Sequence, residues 1–383
     1  MPRTLQMKTS LLYPCFFFCA SLLCAQDGIR ELGILPNEVE ETSGLVFYNG
    51  RILTHNDSGN DPQLFEIDTL SLEVLRTVRI SNAENVDWED MAQDEAYFYI
   101  GDFGNFNGDR RDLAVYRVAK ADYDSSDTVS ADRIDFTYAD QTDFSPTPRS
   151  NWDAEALVVL GSELVILTKQ WQDLGSVAYA LPKVPGSHIA RNLGSYPVNG
   201  LLTGATYNPT TQVLFLIGYS ELLLPFTLRF SEVTIDSFFV GDGERINLNI
   251  GFAQIEGITF STEAQYFVSS ERFVNDNPPI TAASRLFSFS IAIDAEPVDE
   301  TPEEGNQLLL YRRLGSGDLG YELQTERRIF GRAIFDALGR RITYTRADRI
   351  SGNTVDISGL RAAIYYLTFY LDDEILSKPF VLD

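Results

Sequence analysis

The chain has 383 residues, with 30 Lys and Arg against 55 Asp and Glu, and a formal net charge of −25. That balance argues against phosphate-led nucleic-acid binding, which needs clustered Lys and Arg, and against adsorption to an anionic membrane surface. The 25 Phe and 18 Tyr favour strands over helices.

The first 25 residues read as a secretory signal. Arg3 and Lys8 supply its positive region, and Ala25 closes it with a small residue. Between them Leu11 to Leu23 is an apolar run of 13 residues, too short to span a bilayer. Cys15, Cys19 and Cys24 all fall inside this segment, so the mature chain has no disulfide and no thiol chemistry. A competing reading acylates Cys24, but Leu23 is larger than the residue a lipobox places there. The mature chain is expected to carry no transmembrane span.

From residue 28 to 293 one phrase recurs five times. A polar residue is followed by a small or acidic one and then apolar residues. Its copies begin at Ser43, Glu89, Glu155, Thr203 and Glu256, spaced by 46, 66, 48 and 53 residues. A second apolar run follows each about ten residues later and ends in a polar cluster. Two further strand-like runs follow in most units. Repeats of this size and strand content predict an all-β chain built as a β-propeller. Five blades are expected, with six the alternative if the long second interval hides one. Unit five runs out of strands, and Ile29 to Leu35 is expected to complete it and close the ring.

Residues 294–306 carry six acidic residues with Pro297 and Pro302, and read as a linker. Residues 307–383 form a second β-rich segment. Its hairpin phrase Ala333-Ile334-Phe335-Asp336-Ala337-Leu338-Gly339-Arg340-Arg341-Ile342, its Val355-Asp356-Ile357-Ser358-Gly359-Leu360 stretch and its closing Lys378-Pro379-Phe380-Val381-Leu382 resemble type IX secretion C-terminal sorting domains. Ala363 stands where that family usually has Gly, and no Tyr-Pro-Asn-Pro phrase opens the segment. The resemblance implies a small β-sandwich, the type IX secretion machinery as a partner, a Bacteroidetes-type source and a secreted or outer-membrane-surface location.

The repeat region resembles, loosely, the esterase-like phytase and gluconolactonase-like propellers. The phrases that carry the likeness are Asn56-Asp57-Ser58-Gly59, Asp87-Trp88-Glu89-Asp90-Met91-Ala92, Gly101-Asp102-Phe103-Gly104-Asn105, Asp153-Ala154-Glu155-Ala156-Leu157, Thr168-Lys169 and Ile255-Glu256-Gly257-Ile258. The likeness implies fold more than function.

The innermost strand of each blade lines a propeller's channel. The phrase starts therefore fall in one ring, with Asn56, Asp57, Asp102, Lys169, Tyr219, Ser270 and Glu271 added from the second strands. Three convergent carboxylates cannot all stay ionised and unpaired, so either Lys169 and water or a cation compensates them. Glu89, Glu155 and Glu256 are the expected metal ligands, and calcium suits an all-oxygen cage. The bland alternative is that these groups cap strands and bond the neighbouring blade. A second loop, with Asp102, Asn105, Asn107, Asp109 and Asp112, and the Asn275-Asp276-Asn277 run are weaker candidates, because turns demand the same residues.

Zinc is not expected with two histidines, His55 and His188, and no mature cysteine. No Gly-x-Ser-x-Gly elbow supports a serine hydrolase. Trp88, Trp152 and Trp171 sit at phrase edges, where they stack a sugar or pack between blades. The favoured function is a non-catalytic surface module or scaffold that binds glycan or protein. The alternative is a calcium-dependent hydrolase of an ester, lactone or phosphoester, with Asp57 or Asp102 as base and Lys169 stabilising developing negative charge.

Overall fold

The computed structural model describes residues 27–291, apart from 222, 240, 242, 277 and 278, and residues 307–382, apart from 313–317, 326, 337–339, 362, 373 and 374. The signal segment, the acidic linker, Asn277 and the turn at Ala337 to Gly339 lie outside the described residues. The chain divides into two compact units, residues 1–293 and 294–383.

The first unit opens with β1 (Asp27–Ile34). An antiparallel meander follows, made of β2 (Thr42–Tyr48), β3 (Arg51–Asn56), β4 (Gln63–Ile67) and β5 (Val74–Ile80). The next group begins with β6 (Trp88–Gln93), β7 (Tyr97–Asp102) and β8 (Ala114–Ala119). A six-residue helix α1 (Lys120–Ser125), which strand periodicity gave no reason to expect, leads into β9 (Thr128–Val129), which adds in parallel to β5. β10 (Asp132–Tyr138) then returns to β8.

β11 (Asp153–Leu160), β12 (Glu163–Lys169), β13 (Ser176–Pro182) and β14 (Gly186–Tyr196) make the third meander. The weak run near Ile189 is in fact an 11-residue strand, because β14 also pairs in parallel with β10 and joins two sheets along their outer edges. β15 (Leu201–Asn208), β16 (Val213–Tyr219), β17 (Pro225–Phe230) and β18 (Glu244–Asn247) form the fourth. The last group holds β19 (Ile255–Phe260) and β20 (Gln265–Ser270), a hairpin of β21 (Phe273–Asp276) and β22 (Pro279–Ala282), and β23 (Arg285–Ser290). β1 pairs antiparallel with β23, so the N-terminal strand is the outer strand of the last sheet, as the missing fourth strand required.

The first strands of the five groups, β2, β6, β11, β15 and β19, pack side by side in sequence, and β19 packs back on β2. Apolar cores lie between successive sheets. Val46 and Leu53 meet Trp88 and Phe98; Tyr99 and Val115 meet Leu157 and Ile166; Val158 and Leu167 meet Leu202 and Leu216. Phe215 meets Ile258 and Tyr266, and Leu286 returns to Leu45 and Ile52. Each sheet thus buries both faces against its neighbours, which explains the near-continuous apolar runs in β12 and β16.

The second unit has two sheets. One contains β24 (Gln307–Arg312), β25 (Asp318–Gln324) and, on its other side, β28 (Thr354–Asp356). The other is ordered β27 (Arg341–Arg346), β26 (Ile329–Asp336), β29 (Ala363–Leu371) and β30 (Ile375–Leu382). Leu308, Leu319 and Val355 of the first share one core with Ile334, Leu367 and Phe369 of the second. Pro379 lies on the edge strand β30, where a missing N–H is tolerated.

Candidate metal centre and adjoining pocket

Every first strand carries a register break at its phrase start, between Thr42 and Leu45, Trp88 and Met91, Ala154 and Ala156, Leu202 and Gly204, and Ile255 and Gly257. Bulges re-aim side chains. Here they act at Ser43, Glu89, Glu155, Thr203 and Glu256, which is why these residues leave the in-and-out alternation of their strands.

The two hydroxyl residues bond the next strand. Ser43 Oγ donates to the Glu89 carbonyl, and Thr203 Oγ1 donates to the Ile255 carbonyl. One residue further on, the first strands touch: a Cβ on Gly44 would lie 2.3 Å from Met91 N, and one on Gly257 would lie 2.3 Å from Ser43 O. At the same repeat position stands Asp90, fully buried. Its carboxylate accepts from the backbone N–H of Met91 at 2.8 Å, Leu157 at 2.8 Å and Ala205 at 3.3 Å. Asp90 therefore ties three first strands together. Burial pushes its pKa well above the usual range, against the pull of those three N–H groups. The sequence reading passed over this residue.

The glutamates at the other three phrase starts do not form the expected triad. Glu89 shares a cluster with Asp57 and Asp87, and another with Asp153 and Glu155, the ligand oxygens of each lying within 4.8 Å of one another. Glu256 belongs to neither cluster; Lys169, Glu271 and Asp57 act on it electrostatically. Asp87 and Asp153 were missed. Each stands two residues before its phrase glutamate, and the repeated Asp-x-Glu was the available signal.

Partners divide the acids. Glu155 pairs with Lys169 Nζ at 3.1 Å. Asp153 accepts from Asn105 N at 2.6 Å and from Trp171 Nε1 at 2.7 Å. Asp102 accepts from Arg110 Nη2 at 2.9 Å and from Asp87 N at 3.2 Å. Asp57, Asp87 and Glu89 enter no ion pair among the described residues. All three are partly open to solvent, whereas Asp153 and Glu155 are buried.

The electrostatics follow. Burial raises Asp57 to about 6. Burial, Asp57 and Asp153 raise Asp87 to about 7. Burial, then Glu155, Asp57 and Asp87, push Glu89 well above the usual range. Burial and Asp57 raise Glu271 to about 7. Burial works against the Lys169 charge, but Glu155, Tyr219 and Glu256 outweigh it and hold the ammonium charged.

Two calcium ligands lie at most about 5 Å apart when each bond is about 2.5 Å long. The Asp57–Asp87–Glu89 spacing fits. Gly104 makes room for it: a Cβ there would sit 2.3 Å from Glu89 Oε1 and 2.4 Å from Asp87 Oδ2. The donor set is all oxygen, as a hard cation requires.

The remaining candidates have the following partners. In the Asp102-to-Asp112 loop Arg110 reaches Asp102, Asp112 Oδ1 at 3.2 Å and the Gly104 carbonyl at 2.9 Å. Asp102 is thus an Arg110 acceptor, and burial raises its pKa against the pull of that guanidinium. His55 is buried, with Nδ1 on the Asn56 carbonyl and its ring edge-on to Trp88 at 5.5 Å; burial lowers its pKa to about 4. Trp88 is buried and Trp152 packs on Tyr138, so both are packing residues.

Trp171 differs. It lines a cavity of about 350 Å³ together with Arg149, Leu174, Tyr219, Leu223 and Phe273. Lys169 Nζ lies 4.7 Å from the Trp171 ring and 5.6 Å from that of Tyr219, so the cavity adjoins the carboxylate cluster. A second cavity of about 390 Å³ is lined by the later residues of the first strands, among them Leu45, Met91, Leu157, Ala205 and Phe260.

No family model matches the chain, and no curated protein matches it. Solved structures do. An exo-β-1,3-galactanase from Clostridium thermocellum aligns at 10% identity and TM-score 0.47, over 88% of this chain and 78% of that one. PorZ, a surface component of the type IX secretion system of Porphyromonas gingivalis, aligns at 10% identity and TM-score 0.33, over 89% and 45%. Pseudomonas fluorescens PhoX, solved with vanadate, aligns at 11% identity and TM-score 0.36, over 60% and 57%. Likeness this weak carries no functional argument. Among the described residues no helix is long and apolar enough to cross a membrane.

Proposed function

We propose that residues 26–293 are a five-bladed β-propeller that works as an exported surface binding module and holds a divalent cation, best calcium, at one end of its channel. The carrying observation is the carboxylate trio Asp57, Asp87 and Glu89, packed within 4.8 Å and without an ion pair among the described residues, beside an aromatic cavity. The blade count is supported by the circular packing of five first strands and by the β1–β23 pairing. Residues 307–383 act as the type IX sorting domain; the motifs quoted above support that role, as does the edge position of β30.

A bound cation would neutralise the trio and offer open positions to ligand oxygens. Binding is favoured over hydrolysis because two proposed catalytic groups are engaged elsewhere: Lys169 with Glu155 and Asp102 with Arg110. Calorimetric titration of the full chain with calcium should give one site, lost in Glu89→Gln. Heat that is unchanged in that variant would remove the cation from the proposal.

A further inference from the structure

We infer that the cavity around Trp171 is a receptor for small organic anions with a flat apolar body, Arg149 reading the anionic group and Trp171 with Tyr219 receiving the body. The inference deepens the binding role above and does not depend on the cation.

The cavity, about 350 Å³, falls in the range of small-ligand sites. Leu174, Leu223, Phe273 and the two aromatic rings make its wall mostly apolar. Trp171 is only partly buried, and its Nε1–H is fixed on Asp153, which sets the plane of the indole. The Tyr219 hydroxyl accepts from Gln254 Nε2 at 3.3 Å. Both platforms are thus held before any ligand arrives.

Arg149 supplies the charge. It is exposed, lines the cavity, and enters no ion pair among the described residues; its guanidinium carbon lies 5.7 Å from the Trp171 ring centre. Its planar fork suits a carboxylate, phosphate or sulfate. Lys169 cannot compete for the anion, because Glu155 already holds it at 3.1 Å. Glu221 also lines the cavity, but it is exposed and screened by solvent.

The backbone adds a separate observation. Among the described residues eight non-glycine residues have positive φ, and three of them line this one cavity: Arg149 at 60°, Leu174 at 51° and Leu223 at 55°. Bulky side chains rarely adopt that conformation, and such strain collects at ligand clamps. Hydrogen bonds hold two of them in it, Leu174 N to the Gln170 carbonyl and Leu223 N to the Ser220 carbonyl, each at 2.8 Å.

The test is calorimetric titration of the full chain with benzoate, cyclohexanecarboxylate, benzamide and benzylamine, in calcium and in chelator. Benzoate should bind at least about ten-fold more tightly than benzamide, the weight of one charge-assisted hydrogen bond. Arg149→Gln should erase that preference while its melting temperature stays near wild type, and Arg149→Lys should restore part of it. Equal binding of benzoate and benzamide, tighter binding of benzylamine, or no binding by any acid in the millimolar range would overturn the assignment. Benzoate binding that vanishes in chelator would also overturn it, by making the cation the reader. Calcium failing to bind while benzoate still does would sink the cation reading alone.

Discussion

Asp87→Asn should stabilise the cation-free protein. The wild-type carboxylate is raised from 3.8 to about 7 by burial and by Asp57 and Asp153. Its folded-state pKa lies above its unfolded one, so its contribution to stability is complete below about pH 4 and is lost as pH rises through about 7. Near pH 8 the cost has an upper limit of about 4 kcal/mol, from roughly three pKa units at about 1.4 kcal/mol each. Asp87 is partly open to solvent, so about 1–3 kcal/mol is the reasonable expectation. Asparagine keeps the shape, removes the charge and leaves the Asp87 backbone N–H bond to Asp102 in place. Thermal unfolding in chelator at pH 8 should show a rise of a few degrees in Tm, shrinking toward zero near pH 4. Calcium at a hundred times its Kd should add about 2.7 kcal/mol to wild type and far less to the variant. A variant that melts lower than wild type in chelator at pH 8, or that keeps the full calcium response, would refute the reasoning.

Asp90→Ala should destabilise the first unit by about 3–5 kcal/mol, since it strands the buried N–H groups of Leu157 and Ala205; urea unfolding checks this, and a loss under 1 kcal/mol would deny Asp90 its tie between strands. Gly104→Ala should abolish calcium binding in calorimetry, because the new methyl would meet Glu89 and Asp87, and unaltered affinity would relocate the ion. Removing residues 26–36 should lower the melting temperature more than removing residues 307–383, because only the first leaves β23 without its outer partner. Truncation after Glu304 should retain the protein in the periplasm with its propeller folded; normal secretion of it would discard the sorting role.

The ring closure was legible in the sequence because a repeat short of one strand must find it elsewhere, and Ile29 to Leu35 was the remaining run. The gathering of Glu89 and Glu155 was legible for the same reason: equal places in a repeat become neighbours around an axis. Glu256 holds an equal place too, yet it belongs to neither carboxylate cluster, and repeat position carries no information about partners. Lys169 and Arg110 were what divided the acids into paired and unpaired groups; Lys169 meets Glu155 across adjacent strands and was a candidate from its repeat position, whereas Arg110 lies in a loop whose course no periodicity predicts. Asp90 was passed over because the repeated phrase admits either a small or an acidic residue at its second place, which gives that acid no role of its own. Only the bulge beside it, and the N–H groups it meets on two other strands, reveal its place. The aromatic cavity was invisible for a similar reason, being assembled from the ends of β15, β16 and β21 and the connections around them.

The central claim, that Asp57, Asp87 and Glu89 cage a divalent cation, is tested most directly by anomalous diffraction from crystals of the full chain grown with calcium. The account predicts one peak bonded to oxygens of all three residues at about 2.3–2.6 Å, beside Gly104. Strong peaks elsewhere with none among these carboxylates, or a second side chain's ammonium lying there in their place, would contradict it.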